Sequence, residues 1–93
     1  MKVVHEQEKS RFTLQDETGK EWGELTYRLN DQGVLEILFV GVNPARRGEK
    51  LGDLLVEAAV VYAKEASAKM KPICTFAAHY LHRKTEYHSL LSE

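Results

Sequence analysis

The chain predicts an α+β fold, a mixed α/β sandwich in which an antiparallel β-meander leads into a β-α-β-α unit. Three observations carry this. Alternating apolar runs separated by turn residues fill the first half of the chain. Residues 50–69 have a strongly helical pattern. Pro72 then breaks that pattern ahead of a short apolar run and a second helical stretch.

The first hairpin lies in RFTLQDETGKEWGELTYRL. Phe12 and Leu14 alternate with polar neighbours, as in a strand with one wet face. Asp16, Glu17, Thr18 and Gly19 supply turn chemistry, and Trp22, Leu25, Tyr27 and Leu29 mark the return strand. Gly23 shifts the alternation by one place, which points to a bulge. A second turn, Asn30 to Gly33, opens VLEILFVGV, the most apolar strand and the expected central one. Pro44 ends it, because proline cannot donate to a ladder.

Within 50–69, Leu51, Leu54, Leu55, Ala58, Tyr62 and Ala66 recur at spacings of three and four and predict the buried stripe of a helix. Glu65 and Lys69 are expected to pair across one turn on its exposed side. PICTF is read as a fourth strand, parallel to the third through a right-handed crossover, and AAHYLHRKTEYHSLL as one or two short helices.

Composition narrows the function. The 93 residues are read as one domain, 1–93, able to bury only a modest core. With 13 basic and 14 acidic side chains the net charge is −1, which argues against a general nucleic-acid binder. One cysteine forbids an internal disulfide and fits a reducing, cytoplasmic setting. MKVVHEQEKS has no signal-peptide apolar core, and no apolar run approaches a membrane span. One cysteine and scattered histidines supply no metal-ligand cluster.

The segment ARRGEKLG, residues 45–52, joins the central strand to the long helix. The first N–H groups of a helix lack intrahelical partners and the dipole's positive end faces the loop, so phosphate is well matched to such a place. Gly48 and Gly52 would let backbone approach an anion, and Arg46, Arg47 and Lys50 add positive charge. Charges alone are read equally well as a solvated basic turn.

Together with the strands around it, this loop resembles the acyl-CoA site of the GNAT acetyltransferase superfamily, written Gln/Arg-x-x-Gly-x-Gly/Ala. Here that is Arg47-Gly48-Glu49-Lys50-Leu51-Gly52, with Lys50 replacing the middle glycine. The second half resembles a small single-domain branch of GNAT-like proteins. Val42, Gly48, Leu51, Gly52, Leu55, Val56, Pro72, Cys74, Phe76, Tyr80, Leu81, Glu86 and Tyr87 agree with its pattern. Departures fall at Lys50, at Phe39-Val40 and at Lys84-Thr85, where the branch has His-Thr and His-Pro for the last two.

The resemblance implies a GNAT-like fold with CoA between splayed central strands, and acetyl transfer from acetyl-CoA to an amine. Val40, Gly41, Val42, Arg46, Arg47, Gly48, Glu49, Lys50, Leu51 and Gly52 would bind the cofactor. Lys50 would either keep its backbone N–H in the cradle or crowd it. Cys74 would lie near the end of the fourth strand, close to the CoA thiol, as nucleophile or as pocket lining. Tyr80 and Tyr87 would protonate the leaving thiolate or pack.

His79 and His82 are candidate bases or plain surface groups. Glu36 and Glu57 are candidate bases acting through water, and Trp22 is expected in the core. The amine, whether a protein side chain, a peptide terminus or a small molecule, is not named by the residues, and a monomer or weak homodimer is expected. Two other classes stay open: a non-catalytic acyl-CoA binder, and a protein-interaction module without cofactor.

Overall fold

A computed structural model describes residues 1–92. Five strands form one sheet in the order of the chain: β1 (Lys2–Glu6), β2 (Arg11–Gln15), β3 (Glu21–Leu29), β4 (Val34–Val42) and β5 (Lys69–Pro72). The first four pair antiparallel, and β5 joins β4 in parallel after the crossover helix α1 (Leu51–Glu65). Helix α2 (Thr75–Arg83) and a 3₁₀ segment (Thr85–Leu90) close the described chain.

The meander therefore has four strands where the sequence predicts three. β1 escapes detection because its residues are only half-buried and mixed in polarity. Its place comes from pairing, Val3 with Leu14 and His5 with Phe12, and the His5 and Phe12 rings stack with centroids 4.1 Å apart. The strand expected to be central is interior, between β3 and β5, while β3 is the middle of the sheet. The bulge foreseen at Gly23 is present one residue away. β2 pairs Leu14 with Gly23 and Gln15 with Glu21, so Trp22 has no opposite number.

Two expectations in the second half need correction. The 50–69 helix stops at Glu65, and a turn through Ser67 (φ +54°) starts β5 at Lys69. Lys69 thus belongs to the sheet, where its Nζ donates to the Ser89 carbonyl, and it makes no pair with Glu65. β5 is KMKP, not PICTF. Met70 is fully buried, and the amides of Ile73 and Cys74 both donate to the Ile37 carbonyl, turning the chain into α2.

The buried face of α1 is Leu51, Gly52, Leu55, Val56, Ala59, Val60 and Ala63. Only Leu51 and Leu55 of the expected stripe are on it. Leu54 is 47% exposed, Ala66 is exposed, and Ala58 and Tyr62 are half-buried. The helix is apolar around most of its circumference, so periodicity could not choose a face. Ala59 and Ala63, fully buried, are the small residues at the sheet contact.

Phe12 and Leu14 of β2, Leu25 and Tyr27 of β3, and Leu35 and Ile37 of β4 meet α1 and α2 in one core. Burying each large side chain contributes about 1.5–3 kcal/mol. All of this packing lies on one face of the sheet. Strand alternation sends Arg11, Glu24, Thr26, Phe39 and Gly41 to the other face.

Candidate functional site

The site begins where strand pairing stops. The last β4–β5 pair is Ile37 with Pro72, but β4 runs on to Val42. Residues 38–42 consequently have β3 on one side and no strand on the other. A second bulge sharpens the change. β3 pairs Thr26 with Phe39 and Tyr27 with Ile37, leaving Leu38 unopposed. The amides of Ile73 and Cys74, 2.9 and 3.1 Å from the Ile37 carbonyl, mark the apex of the gap.

The chain leaves β4 through a 3₁₀ turn at Pro44–Arg46, held by the Ala45 amide donating to Asn43 Oδ1 at 2.9 Å. Gly48 (φ +90°) and Lys50 (φ +59°, ψ +31°) are both left-handed, and Lys50 is the residue preceding α1. Lys50 therefore keeps the backbone a glycine would take there, at a strain of about 1–2 kcal/mol for a residue with a Cβ. No side chain caps α1, so none satisfies the orphan N–H groups of its first turn.

This helix start and the free edge of β4 line one cleft of about 620 Å³, within the usual range for small-molecule sites. Val40, Gly41, Val42, Arg46, Arg47, Gly48, Lys50, Leu51 and Gly52 all line it. Glu49 does not. Its carboxylate takes Arg46 Nη1 at 3.3 Å, and the same guanidinium lies 4.7 Å from the centre of the Trp22 ring. Trp22 is accordingly a half-buried surface clamp and not a core residue, its Nε1 donating to Asp16 at 2.7 Å.

Three lining residues were invisible to local reading: Asp53, Phe76 and Arg83. A Cβ built on Gly52 would come within 2.8 Å of the Phe76 ring, so Gly52 is what lets that ring close the cleft wall. Arg83 arrives from the far end of α2. Among the described residues Arg47, Lys50 and Arg83 make no ion pair, and Asp53 alone opposes them in the cleft. The cleft is electropositive.

The other candidates fall elsewhere. Cys74 precedes α2 at the apex of the strand gap, two residues beyond the end of β5 and half-buried against the core. The Tyr80 hydroxyl donates to Glu57 on α1, and the Tyr87 hydroxyl donates to the same carboxylate at 2.7 Å. Burial first and the Glu57 carboxylate second push Tyr80 well above the ordinary phenol range, while Glu57 first and burial second push Tyr87 up to about 12. Neither tyrosine lines the cleft. Both tie the C-terminal segments to α1, and Glu57 is the acceptor that holds them.

Glu36 is also committed: Arg28 donates to it at 2.8 Å and Asn30 at 3.2 Å. His79 and His82 line a neighbouring cavity of about 520 Å³ that shares Phe76 and Arg83 with the cleft. No group of three or more His, Cys, Asp or Glu placed to hold a metal occurs among the described residues. No helix there is long and apolar enough to cross a membrane.

Residues 11–90 match the family described as GCN5-related N-acetyl-transferase. No curated protein matches the chain. Among solved structures, a GCN5-like candidate N-acetyltransferase of Staphylococcus aureus is 26% identical, with a TM-score of 0.78 over 98% of this chain and 87% of that one. A candidate acyl-CoA N-acyltransferase of Klebsiella pneumoniae is 23% identical at a TM-score of 0.65, over 81% of this chain and only 55% of its own. N-acetylglutamate synthase of Neisseria gonorrhoeae, complexed with coenzyme A and N-acetyl-glutamate, shares the fold at 14% identity and a TM-score of 0.68, over 80% of this chain and 18% of that enzyme.

Proposed function

The chain belongs to the GCN5-related N-acetyl-transferase family, and on that premise we propose that residues 1–93 act as one acyl-CoA-binding domain that moves an acetyl group from acetyl-CoA to an amine. The observation that carries this reading is the shared cleft. An uncapped helix start, with three cations that make no ion pair among the described residues, opens onto five strand residues that lack a partner strand on one side.

The two halves of that cleft suit the two ends of the co-substrate. Orphan N–H groups at the start of α1, with Arg47, Lys50 and Arg83, would hold the pyrophosphate. The free edge of residues 38–42 offers main-chain donors and acceptors to an extended pantetheine arm, as an added strand would. Backbone of Val40 to Val42 would then polarise the thioester carbonyl where charge develops during attack. This role uses main chain, so the Phe39-Val40 departure leaves it intact.

The Cys74 amide donates to the Ile37 carbonyl at the apex of the gap, which supports placing its side chain toward the acyl end. The mechanism we favour is direct attack by a neutral amine, with Cys74 as wall and Tyr80 as a positioning residue acting through Glu57. A reducing, cytoplasmic location, which the single cysteine supports, and a monomer or weak homodimer complete the proposal.

Titration calorimetry with acetyl-CoA and CoA tests the reading. Saturable binding is expected, weakened about tenfold by Arg47→Ala, the loss of roughly one charge-assisted contact. Absence of saturable binding at millimolar ligand overturns it. Transfer lost in Cys74→Ala with CoA binding intact would replace direct attack by an acyl-thiol intermediate.

A further inference from the structure

The free strand edges of the sheet have different fates. On the β5 side the Ser92 amide donates to the Met70 carbonyl at 2.8 Å and Leu91 bridges Met70, so the closing segment covers that edge. The free half of β4 borders the cleft. β1 pairs with β2 over five residues, and among the described residues nothing pairs with its other side. Independently of the proposed acetyl transfer, we infer that this edge takes a second copy of the chain, whose β1 runs antiparallel to it and joins the two sheets into one.

β1 carries no proline and no bulge to blunt it, and alternate N–H and C=O groups along it point away from β2. A twofold axis through Val4 sets Lys2 opposite the partner's Glu6, Val3 opposite the partner's His5, and Val4 opposite its own copy. Any other antiparallel register pairs fewer of the five residues and breaks the Lys2–Glu6 match. Lys2 is exposed and makes no ion pair among the described residues. Glu6 gives Oε1 to Arg11 at 2.7 Å, but its Oε2 has only Lys9, at 3.5 Å. Arg11 stands across β2 from Glu6, so the partner's Lys2 approaches that carboxylate from the opposite side. Symmetry makes the pair twice. Exposed pairs supply little affinity, and here they choose the register.

The affinity comes from α1. A helix apolar around most of its circumference calls for cover on more than its core face. One flank has it: Glu57 accepts from Tyr80 and Tyr87, and Lys64 lies 5.3 Å from the centre of the Tyr87 ring. The opposite flank leans over β1, where Tyr62 meets the His5 ring edge-on at 4.5 Å and its hydroxyl accepts from Gln7 at 3.4 Å. Leu54, Ala58 and Tyr62 follow one another along that flank at one-turn spacing, with Val61 beside them. Leu54 and Val61, 47% and 53% exposed, are the two exposed apolar side chains of the helix. Val3 and His5 pair with the buried Leu14 and Phe12 and so mark the core face of β1. Matching them across the axis puts both α1 helices on one side of the joined sheet, each turning this flank to the other.

A strand whose two ends carry opposite charges is what a twofold contact requires, and an unrelated partner requires no such match. The cleft stays clear of the contact. β2 and β3 separate β1 from β4, so both clefts remain open in the dimer. With five strand residues and one helix flank from each copy, the interface is small and the dimer is weak.

Sedimentation equilibrium and backbone-amide NMR of the intact chain, from about 10 μM to about 1 mM, test the contact over the range of weak interfaces. A monomer–dimer equilibrium is expected, with concentration-dependent shifts at residues 2–6 and 54–62. Lys2→Glu sets like charges opposite each other, and Leu54→Ser/Val61→Ser removes the apolar flank. Each is expected to weaken the dimer about tenfold. An equimolar mixture of Lys2→Glu and Glu6→Lys chains should regain it, because each chain then meets opposite charge at both ends of the strand. Where Glu6→Lys does not fold, the first two variants decide. A chain still monomeric at about 1 mM, shifts confined to residues 38–42 or the cleft, or a dimer undiminished in either folded variant overturns the assignment. CoA binding is read separately by calorimetry, so failure of the transferase reading and failure of the dimer give different results.

Discussion

The two halves of β4 are made of the same kinds of residue and lead different lives. Leu35 to Ile37 pair with β3 on one side and β5 on the other, and Leu35 and Ile37 are completely buried. Phe39 to Val42 pair with β3 alone, Leu38 is bulged out between the halves, and Leu38 and Phe39 are 44% and 51% exposed. Nothing in the β-propensity of VLEILFVGV distinguishes the halves. The difference is the length of a neighbour: β5 has four residues, β4 has nine. The free edge that borders the cleft is produced here by ending one strand early and turning its chain away on the Ile37 carbonyl.

Breaking the paired half should have the largest effect. Ile37→Ala removes a fully buried side chain at the apex and is expected to cost about 2–5 kcal/mol in denaturant unfolding. An equal loss from an exposed site such as Phe39 would contradict the division. Phe39→Ala should stay within about 0.5 kcal/mol of the parent, because its ring is largely in solvent.

The loop beyond the free half gives an intermediate effect with two separable parts. Lys50→Gly relieves a left-handed backbone at a site where glycine is unstrained, and should raise stability by about 0.5–1 kcal/mol after the added unfolded-state entropy. Lys50→Ala keeps the strain and removes the charge. If both weaken CoA binding equally, the ammonium is what the ligand feels. If only Lys50→Ala weakens it, the backbone geometry is.

The smallest effect is a pH dependence within the paired half. The Asn30 amide, and then the Arg28 guanidinium, hold Glu36 below its ordinary value of 4.5. A lowered acid contributes its stability above that ordinary value and loses it as pH falls through the lower folded-state value. The parent should therefore lose stability on the acid side of about pH 4.5, and Glu36→Gln should flatten that limb in pH-dependent thermal melts.

Much of this was legible along the chain because it is local. Turns at residues 16–19 and 30–33, the bulge beside Gly23 and the strand-to-helix loop at 45–52 each depend on a few neighbouring residues. β1 was missed because an edge strand is defined by its partner. The start of β5 was missed because the 50–69 pattern runs past Glu65 without a breaker until Pro72. The orientation of α1 failed because Leu54 and Leu55 are chemically equal, and only the sheet decides which one is buried.

The sequence by itself determined the fold class, the strand-helix junction and nine of the ten residues expected around the cofactor, all but Glu49, that line the cleft. Those residues lie in two short segments, 40–42 and 46–52, whose roles follow from helix ends and strand ends. Only the tertiary structure could add Phe76 and Arg83 to the cleft, remove Tyr80 to Glu57, and set Glu24 opposite Gly41. Each of those placements joins residues distant in the chain, and it is packing and strand register, which no local pattern encodes, that brings them into contact.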